Sequence, residues 1–183
     1  MDDERRTFER LALPHLDAAH NLARWLARQP ADADDIVQDA MLRAYRGFSL
    51  FRGGDMRPWL LAIVRNCAMT AAQKIRRRRE DDLPGESEER GPRLTLVARE
   101  PDPETAAIGA DLSRNLSALV GELPDEFREV LILREMEELS YKEIAEITAA
   151  PIGTVMSRLA RARTLLRERW LARSTERSQH GLR

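Results

Sequence analysis

The sequence predicts an all-α protein: two small helical domains joined by a flexible acidic linker, the second domain carrying a helix-turn-helix. Three observations lead there. Apolar residues recur at three- and four-residue spacing from residue 4 to 79 and again from 104 to 170, and no alternating run marks a strand. Ala, Leu, Arg and Glu dominate while Gly and aromatics are few, a mix that favours helix. Between the periodic blocks, Asp81 to Pro103 gathers Pro84, Gly85, Gly91, Pro92, Pro101 and Pro103 among acids, with few large apolar residues beyond Leu83 and the patch Leu94–Val97. Such a stretch buries too little surface to offset its ordering entropy and reads as a tether. The expected division is 1–80, a linker over 81–103, 104–173 and a tail from 174 to 183.

Each helix has its own signature. Phe8, Leu11, Leu16, Ala19, Leu22, Ala23 and Leu26 share a face, interrupted early by Pro14. Asp32 or Asp34 is expected to cap the next helix, in which Ile36, Val37, Ala40, Met41, Ala44 and Tyr45 fall on one face. Asp35, Gln38, Asp39 and Arg43 occupy its other side, giving an acidic outer surface. Gly47, Gly53 and Gly54 mark a loop, and Pro58 suits the first turn of a helix through Trp59, Leu60, Ile63 and Val64 into the run Arg76–Arg79. Beyond the tether, Ile108, Leu112, Leu116, Leu119 and Val120 predict a helix over 104–121. Leu123-Pro124-Asp125 ends it and starts another, with Phe127, Val130, Leu131 and Leu133 inside. Ser140 caps a short helix over 141–147, Ala149-Ala150-Pro151 turns the chain, and a last helix runs from about Ile152 to Trp170.

Composition narrows the function classes. With 43 % hydrophobic and 33 % charged residues the chain suits a soluble globular protein. No apolar run approaches the roughly 20 residues that span a bilayer, and MDDERRTFER lacks the apolar core of a secretory signal, so a cytoplasmic location is expected. The single cysteine, Cys67, excludes an internal disulfide and reads as a small buried hydrophobe. His15, His20 and His180 show no metal-ligand spacing, and no metal or cofactor is expected. The net charge of −1 conceals segregation. Arg65 to Arg79 holds Arg65, Lys74 and Arg76–Arg79 with no acid, Glu80 to Glu104 is acidic, and Ser140 to Arg173 is basic again. Two basic blocks around an acidic spacer form an electrostatic footprint for nucleic acid.

The segment SYKEIAEITAAPIGTVMSRLARAR has the form of a helix-turn-helix. Ile144, Ala145 and Ile147 face inward from its first helix, and Val155, Leu159, Ala162 and Leu166 form the buried stripe of its second. Thr154, Ser157, Arg158 and Arg161 are left outside, with Met156. A second helix so equipped enters the major groove, where arginine bonds guanine in bidentate fashion. A solvated face on an ordinary helix pair is the plainer alternative. In the first domain, Arg65, Asn66, Thr70, Gln73 and Lys74 lie beside a loop bearing Phe48 and Phe51. Cations next to aromatics suit single-stranded nucleic acid, although four arginines at a helix C-terminus also simply complement its dipole.

Taken together the motifs resemble the extracytoplasmic-function sigma factors. ADADDIVQDAMLRAYRGF followed by RPWLLAIVRN is similar to their first conserved domain, and LPDEFREVLILREMEELSYKEIAEITAAPIGTVMSRLARARTLLRERW to their second, in the same order and across nearly the whole chain. The resemblance implies a non-catalytic promoter-specificity subunit whose partners are core RNA polymerase, promoter DNA and an anti-sigma factor. It implies that Asp35, Gln38, Asp39 and Arg43 bind the polymerase clamp. Phe48, Phe51, Arg57, Arg65 and Asn66 would serve the −10 element, and Thr154, Ser157, Arg158 and Arg161 the −35 element. Trp59 is expected to pack the first domain. Met156 stands where many members carry a basic residue, and Cys67-Ala68-Met69-Thr70 lacks an acid common there. The alternatives are a sigma-like decoy that captures an anti-sigma protein, which the persisting arginines disfavour, and a helix-turn-helix repressor, which leaves the acidic helix and the tether unexplained. No glycine-rich phosphate loop or nucleophile elbow supports an enzyme.

Overall fold

The computed structural model describes residues 2–81 and 103–180 apart from positions 28 and 30, and these form eight α-helices and no strand. Helix α1 (Asp2–Ala12) passes through a single 3-10 turn at Leu13–His15 into α2 (Leu16–Leu26). Pro14 sits in that turn, where its missing N–H breaks the helical ladder without ending the path of the chain. Helix α3 (Asp32–Arg46) follows, then a second 3-10 turn at Phe48–Leu50 and the long α4 (Met56–Asp81). The second half comprises α5 (Pro103–Gly121), α6 (Asp125–Glu135), α7 (Tyr141–Thr148) and α8 (Ile152–His180). The expected tether lies outside the described residues except for Asp81, which closes α4, and Pro103, which opens α5.

Two local expectations are corrected and a third is completed. Neither Asp32 nor Asp34 caps α3, whose N-cap is Ala31 with no side-chain bond. Asp32, Asp34 and Asp35 instead crowd the first turn, where carboxylates favour the positive end of the helix dipole. Pro58 lies in the first turn of α4 as expected, and Asp55, which accepts a hydrogen bond from the Arg57 N–H at 2.9 Å, caps that turn. Finally α8 does not stop near Trp170 but continues to His180, with the Ser174 and Thr175 hydroxyls bonding back to the carbonyls of Trp170 and Leu171.

In the first half α2, α3 and α4 pack around Leu22, Ile36, Val37, Leu60, Leu61 and Val64. In the second, α6, α7 and α8 enclose Leu133, Ile144, Val155 and Leu159, and α5 leans on α8. The halves are in contact: α2 packs on α6 and α4 on α7, and the buried apolar residues of both join one cluster. Arg128 fixes the α5–α6 corner. Buried, it donates to the carbonyls of Gly121 at 2.9 Å and Leu123 at 3.2 Å, closing the C-terminal end of α5, and it pairs with Asp125. Arg134 fixes the next corner by donating to the Leu139 carbonyl at 2.8 Å while its guanidinium lies 5.1 Å from the centre of the Tyr141 ring.

Candidate polymerase and nucleic-acid interfaces

The outer side of α3 is arranged as its periodicity requires. Ile36, Val37, Ala40 and Ala44 are buried, whereas Asp35 and Gln38 are exposed. Asp39 and Arg43, one turn apart, form a two-point ion pair of 2.8 and 3.1 Å, and each keeps about half of its side chain in solvent. Between α3 and α4 runs a groove of 320 Å³ whose walls include Asp32, Asp35, Asp39, Lys74 and Cys67. Burial pushes the Cys67 thiol above its ordinary value, against the opposing pull of Arg43, so it behaves as a packed apolar group rather than a nucleophile. This face offers three carboxylates and one lysine around a concave floor.

The loop before α4 is built on aromatic packing. Phe8 meets Tyr45 and Phe48 edge-on, each at 5.4 Å between ring centres. Phe48 stacks on Phe51 at 6.0 Å, and Phe51 tilts against Trp59 at 5.2 Å. Phe48, Phe51 and Trp59 are thus half-buried members of one chain of rings, and Trp59 packs the first domain as the sequence implies. At the loop's tip Leu50 is 77 % exposed, and Arg52 is exposed beside Gly53 and Gly54, both at positive φ. A residue with a Cβ rarely adopts that backbone, so the glycines set the turn.

Arg57 and Arg65, the two cations for which the resemblance implies a −10 role, both reach across to the second half. The Arg57 guanidinium lies 2.5 Å from a carboxylate oxygen of Glu137, and the Asn21 amide donates to its other oxygen at 2.5 Å. Arg65 is paired with Glu129 on α6. Both glutamates are 3 % exposed. Asn66 remains exposed one residue on, its carbonyl accepting from the Thr70 hydroxyl. Asn21, Glu129 and Glu137 were not singled out by sequence. For Glu129 the available signal was the run Val130–Leu133, all four buried: four successive apolar residues need partners on more than one face of a helix.

The helix-turn-helix is assembled as expected. Ser140 and Glu143 form a reciprocal capping box: the Ser140 hydroxyl accepts from the Glu143 N–H at 3.3 Å, and the Glu143 carboxylate accepts from the Ser140 N–H at 2.7 Å. The Ser140 hydroxyl also donates to the Glu143 carboxylate at 2.5 Å, and this bond, with the one from the Ser140 N–H, holds the carboxyl below its ordinary value. Ala149 closes α7 in the left-handed conformation, φ 51°, and the Thr154 and Val155 N–H groups bond to the Pro151 carbonyl to start α8. Val155, Leu159 and Ala162 point into the core. On the outside Ser157 and Arg161 are exposed, with Met156 at 53 %. Thr154 is half-buried, and Arg158 pairs with Glu126 at 3.0 Å on the surface. The outward face of α8 therefore stays open even though the halves are packed together.

Comparisons with known proteins follow the same division. The description "Sigma-70 region 2" matches residues 11–79, and "Sigma-70, region 4" matches residues 113–166. The chain is 34 % identical over 147 residues to the ECF RNA polymerase sigma-E factor of Haemophilus influenzae, covering 79 % of this chain and 77 % of that one. To the ECF RNA polymerase sigma factor SigE of Mycolicibacterium smegmatis it is 32 % identical over 173 residues, covering 94 % of this chain but 65 % of the relative, just under two thirds. Among solved structures it resembles the sigma factor RpoE in complex with the anti-sigma factor NepR from Bartonella quintana. That likeness has a TM-score of 0.73 and 27 % identity over 89 % of this chain and 96 % of that one. CnrH in complex with the cytosolic domain of CnrY shares the fold at a TM-score of 0.62 and 23 % identity, over 92 % and 90 % of the two chains.

Proposed function

The chain belongs to the extracytoplasmic-function sigma factors of the sigma-70 family, and on that premise we propose that it binds core RNA polymerase, directs it to particular promoters and promotes DNA melting there, under the control of an anti-sigma factor. The observation that supports this most directly is the ordered pair of helical halves, with an acidic helix outside the first and an open basic helix outside the second. The first domain, 1–80, would hold the polymerase clamp through Asp35, Gln38, Asp39 and Arg43 and the −10 strand through its aromatic loop, Arg57, Arg65 and Asn66. The second, 104–173, would read −35 duplex through Thr154, Ser157, Arg158 and Arg161, with 81–103 as the linker between them. Exposed Met156 suits an apolar contact such as a thymine methyl. An anti-sigma partner is in keeping with the NepR complex of the Bartonella relative. No described helix is long and apolar enough to cross a membrane, and the protein would act beside the polymerase in the cytoplasm. The chain itself would do no catalysis, phosphodiester chemistry belonging to the polymerase.

The test is open-complex formation with bacterial core polymerase on a library of promoter-like duplexes, reading the sequences that are melted and transcribed. Initiation on a two-element motif is the expected result. Core binding without initiation would favour the decoy reading, and duplex selection without core binding a repressor. In the same assay Arg161→Ala should weaken −35 recognition by ~1–3 kcal/mol, as for loss of a base-contacting arginine; unchanged promoter choice would reject that assignment.

A further inference from the structure

The two arginines assigned to the −10 strand are the two that the second half holds. Arg57 and Arg65 stand at the start and in the middle of α4, and each meets a carboxylate from across the chain: Glu137 in the α6–α7 corner and Glu129 on α6. A carboxylate presents to a guanidinium the same paired oxygens that a backbone phosphate does. Glu137 is braced for this role, since Asn21 holds its second oxygen and Arg134 fixes the corner that carries it. On the other working faces the pairs stay within one half: Arg43 meets Asp39 on its own helix and Arg158 meets Glu126, while Asp35, Gln38, Ser157 and Arg161 are exposed.

We propose that Glu129 and Glu137 act as internal stand-ins for DNA phosphate, clasping Arg65 and Arg57 so that the −10 face stays closed until core polymerase draws the two domains apart. This rests on the sigma-factor reading above. It adds an order of events. Polymerase grips α3 and −35 duplex docks on α8 while the clasp is shut, and strand capture by Arg57 and Arg65 follows its release. The free chain is thereby kept from single-stranded DNA by its own second domain, with no inhibitor bound.

The test uses the full chain with both glutamates neutralised, Glu129→Gln with Glu137→Gln. Small-angle scattering, which needs no polymerase, should show a radius of gyration rising from near the ~16 Å of a compact chain this long. If the open form is ~10 % or less of the native population, binding of the free chain to a forked promoter duplex with a single-stranded −10 overhang should tighten ~10-fold or more. Binding to the −35 duplex alone should not change. A second variant, Arg65→Glu with Glu129→Arg, rebuilds the pair with charges exchanged. It should scatter as a compact particle yet fail to open promoters, because residue 65 no longer attracts phosphate. It also keeps the proposal testable should the neutralised variant not fold. Unchanged scattering, or opening without a gain on the fork, would overturn the clasp. Failure of every variant and the native chain to initiate with polymerase would instead refute the sigma reading, and with it the stated role of the opening that scattering still detects.

Discussion

The turn of the helix-turn-helix contains a removable strain. Ala149 sits at φ 51° and ψ 38°, and its N–H bonds back to the carbonyls of Ala145 and Glu146. For a residue with a Cβ the left-handed region costs about 1–2 kcal/mol, because Cβ crowds the following carbonyl. Glycine has no such penalty but loses more backbone freedom on folding, about 0.5–1 kcal/mol relative to alanine. The difference predicts that Ala149→Gly stabilises the protein by about 0.5–1 kcal/mol. For a chain of this length that corresponds to a rise in Tm of about 1–4 °C. Ala149 is exposed, and the variant keeps both backbone bonds, so affinity for −35 duplex should not move. Far-ultraviolet circular dichroism melts of the two proteins, with a duplex titration beside them, make the measurement. A Tm equal to or below that of the native chain would refute the reasoning, showing that the turn relaxes out of the left-handed region in solution.

Three further outcomes are expected. Ser140→Ala removes the capping box and should cost about 1 kcal/mol at neutral pH. Because the Ser140 bonds lower the Glu143 carboxyl, the box is at full strength above the unfolded carboxylate's pKa and is lost as pH falls through the folded one; the stability gap between native and Ser140→Ala should narrow in acid, and a constant gap would count against the box. Charge reversal by Asp35→Arg with Asp39→Arg should weaken core polymerase binding by ~10-fold or more in a pull-down titration, leaving −35 duplex binding intact; equal loss of both would point to misfolding. Leu61→Ala, at a fully buried site on α4, should lower unfolding stability by about 2–5 kcal/mol in a denaturant titration.

The parts of this molecule that sequence disclosed are those whose causes are local. Ser140 with Glu143 writes a helix start within four residues, and Val155, Leu159 and Ala162 at helical spacing declare an inner face. The α3 surface was legible for the same reason. Where several residues of one kind compete, local rules failed: among Asp32, Asp34 and Asp35 none caps, while the unremarked Asp55 does. Phe48 and Phe51 illustrate a second limit. An aromatic in a glycine-bearing loop suggests base contact, yet whether the ring faces out depends on Phe8, some forty residues earlier. The contact between the halves is the extreme case. Glu129 in a run such as FREVLILRE resembles a solvent-facing acid, and only Arg65, from beyond the tether, explains its burial.

The energetics of that contact decide which way the clasp responds to change. Placing a carboxylate out of water costs several kcal/mol even after relaxation, and a pair can fall short of repaying it. Here the burden is unequal: Glu129 and Glu137 are 3 % exposed, whereas the Arg65 and Arg57 side chains keep 20 % and 31 % of their surface. The glutamates therefore carry most of the desolvation, and the arginines recover hydration readily once released. Apolar packing of α2 and α4 on α6 and α7 favours closure regardless of charge. What the ion pairs add is the difference between attraction and desolvation, a small number made of large ones, which suits a contact that polymerase must undo. Replacing the glutamates by glutamine removes the attraction and the carboxylate desolvation but leaves Arg57 and Arg65 largely buried without a counter-charge. Opening means the closed form needs the intact pairs. Tighter closure, with a higher Tm, would mean the pairs merely set the register of an interface held by its apolar side chains.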